Sequence, residues 1–193
     1  MDSNIKNLIS DHLSVVDTML KDDALLSKID TLITLIVDGY RQGKKVFFCG
    51  NGGSAADAEH IAAELSGRFK MDRAALFAEA LHVNGAALTA IANDYGYQKV
   101  FSRMLEAKAG SGDILIALST SGTSDNVLQA MDFARSISCS TIGISGCNNM
   151  SLSQNADLFI QIPSEETARI QECYMLILHI VCESVEKKLF GDV

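Results

Sequence analysis

Two residues that can handle a metal ion or a proton, His60 and Glu64, lie four positions apart just beyond a glycine-rich segment. Residues at i and i+4 share one face of a helix, so both side chains reach the same small object. The preceding segment 50–53 (Gly-Asn-Gly-Gly) ends an apolar run and opens this helix. Helix N-termini of this kind favour phosphate and carboxylate groups. The pattern predicts one wall of an active site, in preference to a solvated His–Glu surface pair.

A second segment, 119–124, is rich in hydroxyl groups (Ser-Thr-Ser-Gly-Thr-Ser) and follows another apolar run. Hydroxyls and backbone N–H groups at a helix start form a neutral cradle for a phosphate dianion. Such a cluster alone is equally typical of a helix N-cap. Two such loops in one chain favour a ligand site. The first loop is no nucleotide motif, because no Lys-Ser/Thr follows its glycines and it lacks the G-x-G-x-x-G spacing.

The elements that must position these loops are short apolar runs alternating with helical segments. This order predicts an α/β fold whose parallel sheet is covered on both faces. The predicted strands are 45–49, 76–81, 114–118, 141–144 and 158–162. Apolar residues at three- and four-residue intervals predict a helix over 25–40, and a weaker pattern predicts another over 5–20. Ligands of such sheets bind at the carboxyl ends of the strands, where both loops fall.

The last predicted helix, 165–189, carries His179 beside its apolar stripe, next to Leu178. A lone histidine on such a face is usually a satisfied core residue. It bears on function only if the fold brings it to the site that the loops form.

Composition excludes several classes of protein. At 193 residues and 48% hydrophobic content, one sizeable core and a single domain are expected. No apolar run approaches the length of a membrane span, and the N-terminus lacks the layout of a signal peptide, so a cytoplasmic location and no membrane partner are expected. The five cysteines form no Cys-x-x-Cys pair and are expected to be reduced packing residues. A net charge of −8 with no clustered basic residues disfavours nucleic acid.

The residues of both loops and of the last helix resemble a known family, the sugar isomerase (SIS) domains, and within it the phosphoheptose isomerases. The similar segments occur in the family's order through nearly the whole chain: 49–60, 63–69, 88–96, 101–103, 119–122 and 168–172, with His179. The resemblance implies a three-layer α/β/α SIS fold with a central, mainly five-stranded parallel sheet and N-terminal helices. It makes 1–193 a single SIS domain, with an N-terminal helical segment (1–43) and a sugar-phosphate-binding core (44–193).

The resemblance also implies an aldose-ketose isomerase that converts sedoheptulose 7-phosphate to D-glycero-D-manno-heptose 7-phosphate in bacterial heptose biosynthesis, for lipopolysaccharide or related glycans. Similar proteins are homotetramers with active sites between subunits, and several hold zinc. By position, the metal set is His60, Glu64, Gln171 and His179. The implied substrate-binding set is Asn51, Gly52, Gly53, Ser54, Glu64, Arg68, Asn93, Asp94, Ser119, Thr120, Ser121, Ser124 and Gln171.

The chemistry of the reaction suggests roles for two catalytic residues. Isomerisation through an enediol needs a base for a carbon-bound proton and an acid that moves protons between two oxygens. Glu64 suits the first task and His179 the second, while His179 or Asp94 could open the sugar ring. Two alternatives stay open: a non-catalytic SIS binding or regulatory protein, and an isomerase of another phosphosugar such as a hexose 6-phosphate.

Two features do not follow simply from the resemblance. Gln171 and His179 lie eight residues apart, about 12 Å along a helix, whereas zinc bonds are only about 2 Å long. Supply of one ligand by a neighbouring subunit is the simpler hypothesis. Segment 74–85 also departs from a proline and a Thr-Thr-Asp-Thr-like stretch found in many relatives, which bears on the sugar more than on the reaction. His82 in this segment is expected to be solvated rather than a ligand.

Overall fold

The computed structural model describes residues 3–147 and 151–191. Helices alternate with short strands along the whole of this part of the chain. In chain order the elements are α1 (Ser3–Leu20), α2 (Asp23–Arg41), β1 (Val46–Cys49), α3 (Gly53–Ser66), β2 (Ala78–Ala80), α4 (Gly85–Tyr95), a 3-10 turn (Tyr97–Lys99), α5 (Val100–Lys108), β3 (Ile114–Leu118), α6 (Asp125–Ser136), β4 (Ser140–Ser145), α7 (Ser151–Gln154), β5 (Leu158–Gln161) and α8 (Thr167–Phe190).

The strands of the described residues form one five-stranded parallel sheet in the order β2-β1-β3-β4-β5. Strands β1 and β3 lie in the middle and are buried along their whole length, as expected for a sheet covered on both faces. The α/β fold with a parallel five-stranded sheet is thereby confirmed. Strand β2 is shorter than predicted, because it lies at the sheet edge and Phe77, just before it, is exposed.

The two faces of the sheet carry separate cores, which gives three layers. Alternate residues of β1 point to opposite faces: Val46 and Phe48 join a core formed with α2, α3 and α8, while Phe47 and Cys49 join a core formed with α5 and α6. Helix α1 lies at the outside of the first core, where Met19 is buried and the partly buried Val15 and Val16 pack against it. Helices α3 and α6 therefore cover opposite faces of the sheet.

Cysteine burial agrees with a packing role at four of the five positions. Cys49, Cys139, Cys173 and Cys182 are buried free thiols, whereas Cys147 is exposed, contrary to the packing role expected of it. Burial raises the pKa of the Cys49 thiol to about 12, which keeps it neutral. Within residues 3–147 and 151–191, no helix is both long and apolar enough to cross a membrane.

Candidate active site

The two loops singled out in the sequence follow the two central strands, β1 and β3. In a parallel sheet of order 2-1-3-4-5, the connections after these two strands leave toward opposite faces, and the crevice between them is where ligands bind. Reciprocal hydrogen bonds join the first loop to the start of α6, directly after the second loop: the Asn51 amide donates to Asn126 and accepts from it, both at 2.8 Å. The predicted placement of both loops at the carboxyl ends of parallel strands is therefore confirmed.

The start of α3 is built to approach a ligand closely. Gly52 precedes the helix with a positive φ of 56°, a conformation that favours glycine, and no side chain caps the helix. At Gly53 a Cβ atom would lie 2.5 Å from Gln171 Nε2, so only glycine fits without moving that amide. The first turn carries no acidic residue. The N–H groups and dipole of this helix end favour an anion.

Asn51 is oriented by two residues that the sequence analysis missed. Asn126 is 4% exposed, and the Tyr97 hydroxyl donates to Asn51 Oδ1 at 3.2 Å. With Oδ1 occupied by two donors and one amide N–H given to Asn126, the second N–H of Asn51 is left to face a ligand. The sequence signal for Asn126 was its place just after the hydroxyl-rich loop. The 75-residue separation hid the pairing.

The hydroxyl-rich loop holds its shape through its own hydrogen bonds. Ser119 is buried, and its Oγ accepts from the Gly122 backbone N–H at 3.1 Å and lies 3.4 Å from Ser124 Oγ. Ser121 Oγ accepts from both the backbone and the hydroxyl of Thr123. Ser124 stands at the N-cap of α6 but makes no side-chain capping bond. Ser124 therefore does not form the simple side-chain N-cap left open by the sequence, and the phosphate cradle stays a prediction.

His60, Glu64 and His179 come together along α3, about two to three turns beyond the first loop. His60 Nε2 lies 3.2 Å from Glu64 Oε1 and 3.4 Å from His179 Nε2. The two imidazole rings meet edge to face, with centroids 5.1 Å apart. His179 is thus no satisfied core histidine, because its ring reaches the face of α3 that carries His60 and Glu64.

Taken in pairs, these donor atoms are spaced as two ligands of one zinc ion would be. Two ligands bound to zinc at about 2.0–2.1 Å and a tetrahedral angle lie about 3.4 Å apart, close to both contacts of His60 Nε2. In the described part of the chain, however, no group of three or more His, Cys, Asp and Glu side chains is already arranged to hold a metal ion. Both matching pairs share one atom, His60 Nε2. A common ion would require these side chains to rotate.

Gln171 stands apart from this cluster in a second polar group. Its Nε2 donates to Asp57 Oδ2 at 2.6 Å, and the Tyr174 hydroxyl donates to the same oxygen at 2.9 Å. Ser54 Oγ lies 2.8 Å from that hydroxyl. Burial raises the pKa of Tyr174, which remains a neutral donor. Gln171 and His179 therefore face α3 at different heights, and the supply of one ligand by a neighbouring subunit stays a prediction.

Three further predicted residues, Arg68, Asn93 and Asp94, are exposed. Arg68 is exposed in the loop after α3. Asn93 Nδ2 donates to Asp94 Oδ1 at 2.8 Å at the exposed end of α4, shortly before Tyr97. The expectation for His82 is wrong: its side chain is only 14% exposed and pairs with Glu59 at 2.9 Å. Segment 74–85 therefore packs against α3 through this histidine.

Comparison with known proteins places this chain in a defined class. A model of the SIS domain family matches residues 13–146, so the chain belongs to the SIS domain family. The phosphoheptose isomerase of Clostridium acetobutylicum is 43% identical over 192 residues, covering 100% of this chain and 98% of that protein. That of Mycobacterium tuberculosis is 46% identical over 179 residues, covering 93% and 91%.

Solved structures agree with the sequence relatives. The structure of a phosphoheptose isomerase from Francisella tularensis matches with a TM-score of 0.91 at 30% identity, covering 97% of this chain and 100% of that chain. One from Neisseria gonorrhoeae matches with a TM-score of 0.88 at 32% identity, covering 95% and 97%. Within the SIS domain family, the chain groups with the phosphoheptose isomerases.

Proposed function

We propose that this protein is a phosphosugar isomerase that converts sedoheptulose 7-phosphate to D-glycero-D-manno-heptose 7-phosphate through an enediol. The observation that carries the proposal is the contact of Glu64 and His179 with one imidazole, that of His60, on the helix that the glycine-rich loop opens. The loops supply a cradle for the phosphate and hydroxyl groups of the sugar. The three side chains supply the groups that move protons.

The reaction needs two kinds of proton transfer, and we assign one to Glu64 and the other to His179. Glu64 Oε1 contacts His60, so we assign Oε2 as the base that removes a proton from C1 of the open-chain ketose and returns it to C2. His179 moves the proton between the C1 and C2 oxygens, so that the C2 carbonyl becomes a hydroxyl and the C1 hydroxyl a carbonyl. No redox cofactor is needed, because the two carbons exchange oxidation states. Ring opening falls to His179 or Asp94.

A zinc ion fits this proposal as a resident cofactor. His60, Glu64 and His179 would hold it, and Gln171 would join them only after leaving Asp57. When bound, the ion would stabilise negative charge on the enediolate oxygens. Binding would also neutralise the acidic side of the site and hold the His179 ring in place.

Assembly into a homotetramer with sites between subunits belongs to the same proposal. Helix α1 exposes Ile5, Ile9, Leu13 and Leu20, whose spacing puts them on one face. A contiguous exposed apolar stripe marks an interaction surface, and we propose a second copy of this chain as its partner. Sedimentation equilibrium at micromolar concentration measures the mass directly, and a monomer would contradict this part.

Location and pathway follow from the substrate. We propose that the enzyme acts in the cytoplasm, because a phosphorylated sugar carries charges that do not cross a membrane unaided. The product would enter heptose biosynthesis for lipopolysaccharide or a related glycan. Neither a nucleic-acid nor a membrane partner is part of the proposal.

Activity on two matched substrates tests the proposed function. We expect turnover of sedoheptulose 7-phosphate and much slower turnover of fructose 6-phosphate, which carries the same reacting carbons and a phosphate one carbon nearer. Faster turnover of the hexose would favour an isomerase of another phosphosugar. Tight binding of both sugars without turnover would favour the non-catalytic SIS alternative.

A further inference from the structure

A buried ion pair lies outside the residues assigned so far. Arg73 Nε donates to Glu186 Oε1 at 3.0 Å, and each side chain is 1% exposed. The Glu186 carboxylate also accepts the backbone N–H groups of Phe69, Lys70 and Met71, at 2.8 to 3.1 Å. One carboxylate on α8 therefore fixes the start of the loop that follows α3.

The arginine binds the other side of the same loop. Its guanidinium donates to the backbone carbonyls of Glu64, Leu65, Gly67 and Ala74. The bond to the Glu64 carbonyl, from Nη2 at 2.9 Å, fixes the last turn of α3 at the residue assigned as the base. Arg73 thus ties the end of α3 to the loop, and through Glu186 to α8.

The loop places an aromatic ring on the candidate acid. Phe69 stacks on the His179 ring, with centroids 5.7 Å apart and planes 21° apart. The Phe69 backbone is held by Glu186, which follows His179 by seven residues, two turns along α8. Both sides of the His179 ring are therefore defined, by Phe69 and by His60.

A buried ion pair is poor evidence of stabilisation alone, because removing two charges from water costs about as much as their attraction returns. The position of this pair supplies a second role. We propose that Arg73 and Glu186 are positioning residues for the candidate site. Glu186 holds Phe69 against the His179 ring, and Arg73 holds the backbone of Glu64 in place. The kinetic consequence rests on the proposed isomerase function, whereas the placement of the ring does not.

A neighbouring pair offers a matched control. Glu183 lies one turn before Glu186 on α8 and pairs with Lys70 of the same loop at 2.7 Å, but this pair is exposed. Exposed pairs contribute little. Glu183→Gln therefore removes a charge from the same helix and keeps the bonds to the backbones of Phe69 and Glu64. Lys70, whose Nζ lies 5.6 Å from the centroid of the Phe69 ring, is left unchanged.

The experiment compares Glu186→Gln, Phe69→Leu and Glu183→Gln by NMR of the histidine ring protons and by kinetics. The chain has four histidines, so the His179 signals can be assigned with one variant at that position. Phe69→Leu removes the ring current and calibrates the shift. We expect Glu186→Gln to move the His179 signals in the same direction and to lower kcat about ten- to a hundredfold, with KM changed less than about threefold. Glu183→Gln should leave both unchanged.

Two results would overturn the proposal. The first is a Glu186→Gln protein that melts at a lower temperature while its His179 signals and kcat match the parent, which makes the pair a structural tie only. The second is a Phe69→Leu protein with unmoved His179 signals, which decides the matter even if Glu186→Gln does not fold. If the parent has no isomerase activity, the NMR comparison still tests the placement, and the proposed function fails separately.

Discussion

Replacing Gly53 with alanine tests the geometry of the first loop at a single atom. The added Cβ would lie 2.5 Å from Gln171 Nε2 and 2.8 Å from its Oε1, so the amide must move away. The move breaks the 2.6 Å hydrogen bond to Asp57. A hydrogen bond to a charged group contributes about 1.5–3 kcal/mol. The alanine also stabilises the folded protein by about 0.4–1 kcal/mol, because it reduces the conformational entropy of the unfolded chain.

Gly53→Ala should therefore lower the free energy of unfolding by about 1–2 kcal/mol, which lowers the melting temperature of a chain of this size by about 2–8 °C. Gly85→Ala is the matched control, because Gly85 also begins a helix and has no atom within 4 Å of an added Cβ. It should be neutral or stabilised. Loss of one Gln171 contact to substrate should raise KM about three- to tenfold in Gly53→Ala alone. Equal melting temperatures and KM values for the two variants would refute the placement of Gln171.

The remaining predictions concern the proton-handling groups, the phosphate cradle and the acid limit of stability. Glu64→Gln should keep the fold by circular dichroism and lower kcat about a hundred- to ten-thousandfold, and appreciable residual activity would refute its role as the base. Ser119→Ala should raise KM more than it lowers kcat, so an unchanged KM would argue against the cradle. His179→Ala should lose both activity and bound zinc, measured by metal analysis, whereas loss of activity alone would limit His179 to proton transfer. Burial alone raises the pKa of Glu186, but its backbone N–H partners and Arg73 together lower the pKa by more than burial raises it. The pKa of this carboxyl in the folded state therefore lies below the ordinary 4.5. Its contribution to stability is therefore present above that value and is lost as the pH falls through the lower pKa of the folded state. The melting temperature should fall more steeply between pH 7 and pH 3 for the parent than for Glu186→Gln. Equal falls in the two proteins would contradict this.

The sequence predicted the sheet well because its strands are short apolar runs with clear ends. Strands β1 and β3 are buried on both faces, so hydrophobicity alone located them. Strand β2 lies at the edge, and only one of its three residues is buried, so its bounds were less certain. Local spacing likewise predicted the pairing of His60 with Glu64, which is a property of one helix.

Long-range contacts explain what the sequence could not predict. The position of His179 depends on the register of α8 against α3, 119 residues apart at the His60 contact. The orientation of Asn51 by Asn126 and the pairing of Arg73 with Glu186 span 75 and 113 residues. No local pattern encodes such pairs, because they arise only when the sheet order brings separate helices together. The resemblance supplied His179 as a candidate but not the residues that hold it.

The central claim is that Glu64 and His179 interconvert a ketose and an aldose through an enediol. The most direct measurement is proton NMR of the protein with sedoheptulose 7-phosphate in deuterated water, with zinc supplied. The account predicts an aldoheptose 7-phosphate that carries deuterium at C2, because the base exchanges its proton with solvent before returning it. No product and no exchange from a folded, zinc-loaded protein would contradict the account.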